Sequence, residues 1–183
     1  MPVAIISTIS ISNNHHQQNA FVSSVSVSAT GTKSIDIPVT SPLKWSAEQP
    51  NLYDLVLTLK DDNGKTIDIR SSKVGFKEVS VRSDGALLIN GKRMVFHGVN
   101  RHDFSTENGR AISHEEILKD ILVMKSLNIN AVRTSHYPND PYFYEMCDKY
   151  GIYVLAETNV ECHPNMGLSS VSTFKNAMVE RAE

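Results

Sequence analysis

The chain has 183 residues, 40% of them hydrophobic, enough to bury one good core or two small ones. Its formal net charge is −2 with acids and bases interspersed, a pattern that gives no sign of a nucleic-acid or membrane-surface binder. The longest apolar runs, such as 152–156, are too short to span a bilayer.

At the N-terminus, residues 1–12 are apolar but carry no Lys or Arg ahead of the apolar part and no clear small-residue cleavage site, which argues against a secretory signal. The polar run 13–19 has no periodicity, and residues 1–20 read as a disordered lead-in, with His15 and His16 in a solvated tail. From Phe21 the pattern becomes period two. Val25, Val27 and Ala29 alternate with serines, then Ile35, Ile37 and Val39 with polar residues, and Tyr53, Leu55, Leu57 and Leu59 share one face. Half-buried strands are the expectation for each. Asp61-Asp62-Asn63-Gly64 reads as a hairpin turn into a strand over 66–70, because Asn-Gly tolerates positive φ. Short strands with turn signals and no helix suggest an antiparallel β-sandwich over 21–80, the later part of one. Trp45 reads as a packing residue.

A second Asn-Gly, Asn90-Gly91, joins 86–89 to 93–96 and leads into the next domain, 81–183. Here the period changes. Ser113-His114-Glu115-Glu116 is a capping box, and Ile117, Leu118, Ile121, Leu122 and Met124 follow at helical spacing. A strand is expected over 130–135. Asp140-Pro141 then opens a second helix whose buried stripe is Phe143, Met146, Cys147 and Tyr150, ended by Gly151. Residues 152–156 are apolar throughout, as in a parallel strand covered on both faces. Cys147 and Cys162 form no disulfide framework, and a packed free thiol at Cys147 fits a reducing cytoplasm.

Three polar clusters stand where these strands should end: Gly98-Val99-Asn100-Arg101-His102-Asp103, then Arg133-Thr134-Ser135-His136-Tyr137-Pro138, then Glu157-Thr158-Asn159-Val160-Glu161-Cys162-His163. Strand–helix alternation with polar residues at each strand exit is how a (β/α)8 barrel presents its active site. Such a barrel takes about 250 residues and eight units. Three fit here, so the expectation is part of an enzyme rather than all of it.

Glu161 and His163 are two apart, which in extended chain puts both on one face about 7 Å apart. Carboxylate plus imidazole suits Mg²⁺, Mn²⁺ or Zn²⁺, although a solvated loop explains the pair as well. His102 and His136 can donate and accept hydrogen bonds to sugar hydroxyls or move a proton, or simply bond a neighbouring loop. Arg133 lies within a strand, where its guanidinium requires a carboxylate partner. His97 and His114 read as a strand histidine and an exposed helix-start histidine.

The run Asn130-Ala131-Val132-Arg133-Thr134-Ser135-His136-Tyr137-Pro138, together with the stretch from Leu43-Lys44-Trp45 through Val74-Gly75-Phe76 and 97–103 to His163, resembles glycoside hydrolase family 2. Within it, the likeness is to the large bacterial members that cleave β-galactosides. The resemblance covers about two-thirds of the chain, from 43 to 163. It implies a partial immunoglobulin-like β-sandwich followed by the first three βα units of a truncated TIM (β/α)8 barrel. It also implies hydrolysis of terminal non-reducing β-D-galactosides with retention, by two carboxylates about 5–5.5 Å apart. In the family both are glutamates on later strands, and the acid/base belongs to an Asn-Glu pair. This sequence has no Asn-Glu pair, so the chain alone is expected to be inactive.

By the same resemblance, Glu161 and His163 are ligands of an active-site Mg²⁺, His102 and His136 contact the sugar and stabilise the transition state, and Arg133 supports the nucleophile. Asn100 and Asn159 lie in matching motifs without an assigned role. A β-galactoside as the partner molecule and a homo-oligomeric full-length enzyme are implied as well. The alternatives are a member cleaving β-glucuronides or β-mannosides, or a non-catalytic chain that complements a separately encoded remainder. The Glu161-Cys162-His163 signature favours the galactoside-cleaving members.

Overall fold

The computed structural model describes residues 5–13, 18–27, 34–160 and 167–182. The chain divides into two compact units, Met1–Ser80 with Ile89–Gly91, and Val81–Leu88 with Lys92–Glu183.

In the first unit, β1 (Ile5–Asn13), β2 (Gln18–Val27), β3 (Tyr53–Lys60) and β4 (Thr66–Val74) form one antiparallel sheet in the order β2-β1-β3-β4. The expected disordered lead-in over 1–20 is therefore corrected at Ile5–Asn13, which lies inside the sheet, and at 18–20, which open β2. Ile9 faces Ser23 on one side and Leu57 on the other. The physical reason is that Ile9-Ser10-Ile11-Ser12 has the same period-two alternation as its partners, and a central strand satisfies its backbone N–H and C=O groups on both edges. Ile11 is buried accordingly. His15 and His16 lie outside the described residues.

Residues 34–40 also depart from expectation. Their side chains alternate between exposed and half-buried, but they join no ladder. Pro38, which has no N–H to give, interrupts the segment. Ala29 lies outside the described residues.

The Asn63-Gly64 turn forms as expected. Asp61 Oδ1 accepts the N–H groups of Asn63 (3.0 Å) and Lys65 (2.8 Å), and Gly64 takes φ +81°. Trp45 is 3% exposed, and its backbone N–H donates to the Phe76 carbonyl at 2.7 Å. A Cβ built on Gly75 would lie 3.1–3.3 Å from Trp45 side-chain atoms, so the glycine makes room for the indole. Tyr53 meets Phe76 edge-to-face at 5.2 Å.

A small sheet of β5 (Val79–Val81), β6 (Leu87–Ile89) and β7 (Lys92–Arg93), in that order, follows. Asn90 and Gly91 connect the last two with φ of 52° and 76°, the paired positive values of a tight hairpin turn. Asn90 also accepts from Glu78 N–H (2.9 Å) and donates to the Trp45 carbonyl (3.0 Å).

The second unit is built on β8 (Gly98–Arg101), β9 (Ala131–Thr134) and β10 (Tyr153–Leu155), all parallel and in the order β10-β9-β8. Parallel neighbours require crossovers, and α1 (His114–Ser126) and α2 (Pro141–Tyr150) supply them. Ser113 caps α1: its side chain accepts from Glu116 N–H while Glu116 accepts from Ser113 N–H. Asp140 caps α2 with Pro141 in its first turn, and Gly151 ends it at φ 74°.

The core gathers Ile117, Ile121, Met124, Val132, Phe143, Cys147 and Ile152. Full burial of each large aliphatic or aromatic member contributes about 1.5–3 kcal/mol. Leu122, expected on the apolar face, is instead 46% exposed, because the helix turns Ile117, Ile121 and Met124 inward. Burial pushes the Cys147 thiol up to about 12, which keeps it protonated and inert. Cys162 lies outside the described residues. After β10 come two short 3-10 turns, Leu168–Ser170 and Ser172–Phe174, and α3 (Lys175–Glu180). Among the described residues no helix is long and apolar enough to cross a membrane.

Candidate active site

Parallel strands end on one side of a sheet, so the exits of β8, β9 and β10 bring residues distant in sequence together. Arg133, in β9, is the hub. Its Nε donates to Glu157 Oε1 at 2.6 Å, just past the end of β10, and its Nη1 lies 3.4 Å from Asn100 Oδ1 in β8. The carboxylate that Arg133 required is thus supplied by the next strand. Glu157 is itself held by its own backbone, whose N–H donates at 2.9 Å to Oγ1 of the buried Thr134. Hydrogen bonding from the Arg133 guanidinium holds the Glu157 carboxyl below the usual carboxylate range, with His136 adding in the same direction.

His136 sits beside this pair. Its Nδ1 is 3.0 Å from Arg133 Nη2 and 3.0 Å from Glu157 Oε2. His102, past the end of β8, packs its ring edge-on to His136 with centroids 5.6 Å apart, and its Nδ1 is 3.4 Å from the Tyr137 hydroxyl. The Arg110 guanidinium lies over the Tyr137 ring at 4.7 Å. The structure therefore brings His102, Arg133, His136 and Asn100 into one cluster. His102 and Asn100 are exposed, and Arg133 and His136 are half-buried. Such a surface can hydrogen-bond a polyhydroxylated ligand from several directions.

Beneath the cluster is a second polar group with a different task. Arg101 is buried. Its Nε donates to Asp120 Oδ2 at 3.0 Å and its Nη1 to Asp103 Oδ1 and to Asn139 Oδ1 (3.3 Å), and the guanidinium lies 4.5 Å above the Phe143 ring. Asp103 Oδ2 also accepts the Asp140 N–H at the start of α2, at 3.2 Å. Asp103 is therefore occupied in tying the β8 exit to the start of α2, while Arg101 carries the link to α1 through Asp120.

Glu161 and His163 lie outside the described residues, and Asn159 presents its carbonyl to Arg181 Nη1 at 3.1 Å. Among the described residues no group of three or more His, Cys, Asp and Glu is placed to hold a metal ion. His114 is exposed, stacks on Tyr142 with centroids 4.0 Å apart, and stands apart from the cluster. The sequence reading named Arg133 and both histidines but gave no place to Glu157 as their partner, to Tyr137 or to Arg101. The signal for Glu157 was available, since it is the first charged residue after the strand neighbouring Arg133.

Residues 79–181 match the model for the TIM barrel domain of glycosyl hydrolases family 2, and residues 3–77 match a further model described as glycosyl hydrolases family 2. The chain belongs to glycosyl hydrolases family 2. Its β-region is the immunoglobulin-like part of that architecture and its second unit is barrel. Among curated relatives, the β-galactosidase of Priestia megaterium is 54% identical over 140 residues, 76% of this chain and 13% of that protein. The β-galactosidase of Streptococcus thermophilus is 49% identical over 138 residues, 75% of this chain and 13% of that one. Among solved structures, a Bacteroides uniformis β-glucuronidase superposes with TM-score 0.72 at 27% identity, over 84% of this chain and 19% of the other. A family 2 β-galacturonidase from Eisenbergiella tayi gives 0.72 at 26% identity, over 85% and 27%. The chain spans between 12% and 14% of the length of the curated relatives.

Proposed function

We propose that this chain forms the substrate-facing first strands of a β-galactosidase, an enzyme hydrolysing terminal non-reducing β-D-galactosides with retention. The observation that carries this reading is the convergence of His102, Arg133, His136 and Glu157 at the exits of three adjacent parallel strands. Identities of 46–54% to curated β-galactosidases support the galactoside over a uronic acid, against 23–27% to the glucuronidase structures.

In this mechanism one carboxylic acid protonates the leaving oxygen and a second carboxylate attacks the anomeric carbon. Glu157 is suited to neither part. A general acid needs a raised pKa, and Glu157 is held low by Arg133. A nucleophile needs a free oxygen, whereas Oε1 is bound by Arg133 and Oε2 is in contact with His136. Both catalytic carboxylates are assigned to other glutamates of the intact enzyme, and the 183-residue chain by itself is expected to be inactive. His102 and His136 hydrogen-bond the galactosyl hydroxyls, more strongly as the ring flattens toward the oxocarbenium-like transition state. Arg133 supports the nucleophile electrostatically.

Glu161 and His163 are assigned to a Mg²⁺ ion, which their carboxylate–imidazole donor set accepts and which would supply local positive charge. The intact enzyme is proposed to be a homo-oligomer, without nucleic acid or membrane as partner, in the cytoplasm. A β-glucuronidase is the second reading, favoured by the structural neighbours.

The test uses the full-length enzyme carrying this segment, assayed on nitrophenyl β-galactoside, β-glucuronide and β-mannoside. The galactoside should be preferred by kcat/KM. His136→Ala should lower kcat/KM about 10²-fold or more and resist added Mg²⁺, while Glu161→Gln and His163→Ala should recover partly with excess Mg²⁺. Preference for the glucuronide or mannoside would reject the substrate. Rescue of His136→Ala by metal would reject the division of roles.

A further inference from the structure

We propose that Glu157 is a positioning residue that holds the proton of His136 on Nδ1, so that the neutral ring offers Nε2 to the sugar as an acceptor. The role toward a sugar rests on the galactosidase reading, whereas the placement of the proton follows from this chain's own geometry. His136 Nδ1 lies 3.0 Å from both Arg133 Nη2 and Glu157 Oε2. One nitrogen cannot accept from the guanidinium and donate to the carboxylate at once, so the two neighbours demand opposite tautomers.

The rest of the network decides between them. Glu157 Oε1 is already satisfied by Arg133 Nε at 2.6 Å, and Oε2 has His136 as its neighbour. Without a proton on Nδ1, two lone pairs would face each other at 3.0 Å beside an ionised carboxylate. With the proton on Nδ1, the contact becomes a charge-assisted hydrogen bond. The cost then falls on one Nη2 N–H of Arg133, a group with other donors, about a third of whose side chain is open to water. The Glu157 backbone cannot easily turn the carboxylate away, because its N–H is bound to Thr134 Oγ1, on a residue with no exposed surface.

A consequence is that His136 serves the sugar differently in its two charge states. The neutral ring accepts from a hydroxyl at Nε2. The imidazolium donates from Nε2 while keeping its bond to Glu157 through Nδ1. A histidine held this way is the imidazole analogue of a ligand histidine whose second nitrogen is fixed by a carboxylate.

The experiment is a two-bond ¹H–¹⁵N correlation spectrum of the 183-residue chain with ¹⁵N-labelled histidine, recorded where the ring is neutral and with His136 assigned through H136Q. The expected result is a proton on Nδ1 in the wild type and in E157D, which retains the carboxylate. In E157A the proton should move to Nε2, since Arg133 Nη2 is then the remaining neighbour and donates to Nδ1. A wild-type ring protonated on Nε2 overturns the proposal, as does a folded E157A that keeps its proton on Nδ1. The wild-type and E157D spectra decide the question even where E157A loses its fold. An Nδ1–H ring in an enzyme that rejects β-galactosides would support the positioning role and overturn only the substrate.

Discussion

The two units solve the problem of burying apolar surface in different ways. In the helix-bearing unit, Ile117, Ile121 and Phe143 have no exposed surface and Val132 and Cys147 almost none. In the antiparallel sheet, Ile67 and Ile69 on β4 are each more than half exposed, and Leu57 on β3 is 40% exposed. A βαβ crossover lays its helix across the same strands it connects, so the apolar face under α1 and α2 is covered from nearby sequence. The strands are not covered all round as 152–156 led one to expect: Leu155 on β10 is 65% exposed and Val99 on β8 38%. An antiparallel sheet has no such cover built into its connections. Among the described residues of the first unit, burial is deepest at Tyr53 and Trp45, and at Ile11 in β1. Local connectivity therefore decides where this chain is densely packed, and the polar cluster at the strand exits stands on the densely packed part.

The sharpest way to break this contrast is a pair of truncations. Phe143→Ala should destabilise the second unit by about 3–5 kcal/mol, because it leaves a cavity among fully buried neighbours. Ile69→Ala, at an exposed position, should change stability by no more than about 0.5 kcal/mol. Urea denaturation followed by unit-specific hydrogen exchange would measure both. Equal losses would show that the sheet holds a core comparable to that of the helices.

A somewhat smaller effect is expected at the polar layer under the site. Arg101→Ala removes the partner of Asp103, which is nearly buried, and so should cost about 3 kcal/mol, the lower end for a broken buried pair because Asp120 is half-exposed. The accompanying readout is exchange of the Asp140 amide, which Asp103 accepts at the start of α2. Unchanged protection there would show that α2 is held by its apolar stripe alone.

The smallest effect concerns the helix caps. Ser113→Ala should cost about 1 kcal/mol, from the lost bond to Glu116 N–H. The exchange rates of the first-turn amides of α1 should rise while those of α2 stay constant. A loss above about 2 kcal/mol would mean that α1 depends on its cap more than on Ile117 and Ile121.

Much of this molecule is legible in its sequence because the signals are local. Capping boxes, Asn-Gly turns and 3.6-residue periodicity act over a few residues, so α1, α2, both hairpin turns and the parallel strands can be read before any folding is known. The failures share a cause as well. The first strand is central only because β2 and β3 flank it, which no local window reveals. Residues 34–40 have strand-like alternation yet lack a ladder, and Leu122 keeps the helical spacing but misses the core by its angle around the axis.

The site divides along the same line. Residue types at the strand exits are enough to single out Arg133, His102 and His136, since a guanidinium in a strand and histidines at strand ends demand polar partners. Which partners they obtain is a question of distance between strands. Glu157 stands 24 positions from Arg133 in sequence and 2.6 Å away in space, because parallel pairing sets Leu155 beside Arg133 and carries the next carboxylate to the same exit. The sequence alone determined the chemistry available at each strand end. Tertiary structure decided which charges meet, since hydrogen bonds and ion pairs act over a few ångströms and only the sheet register brings those atoms within range.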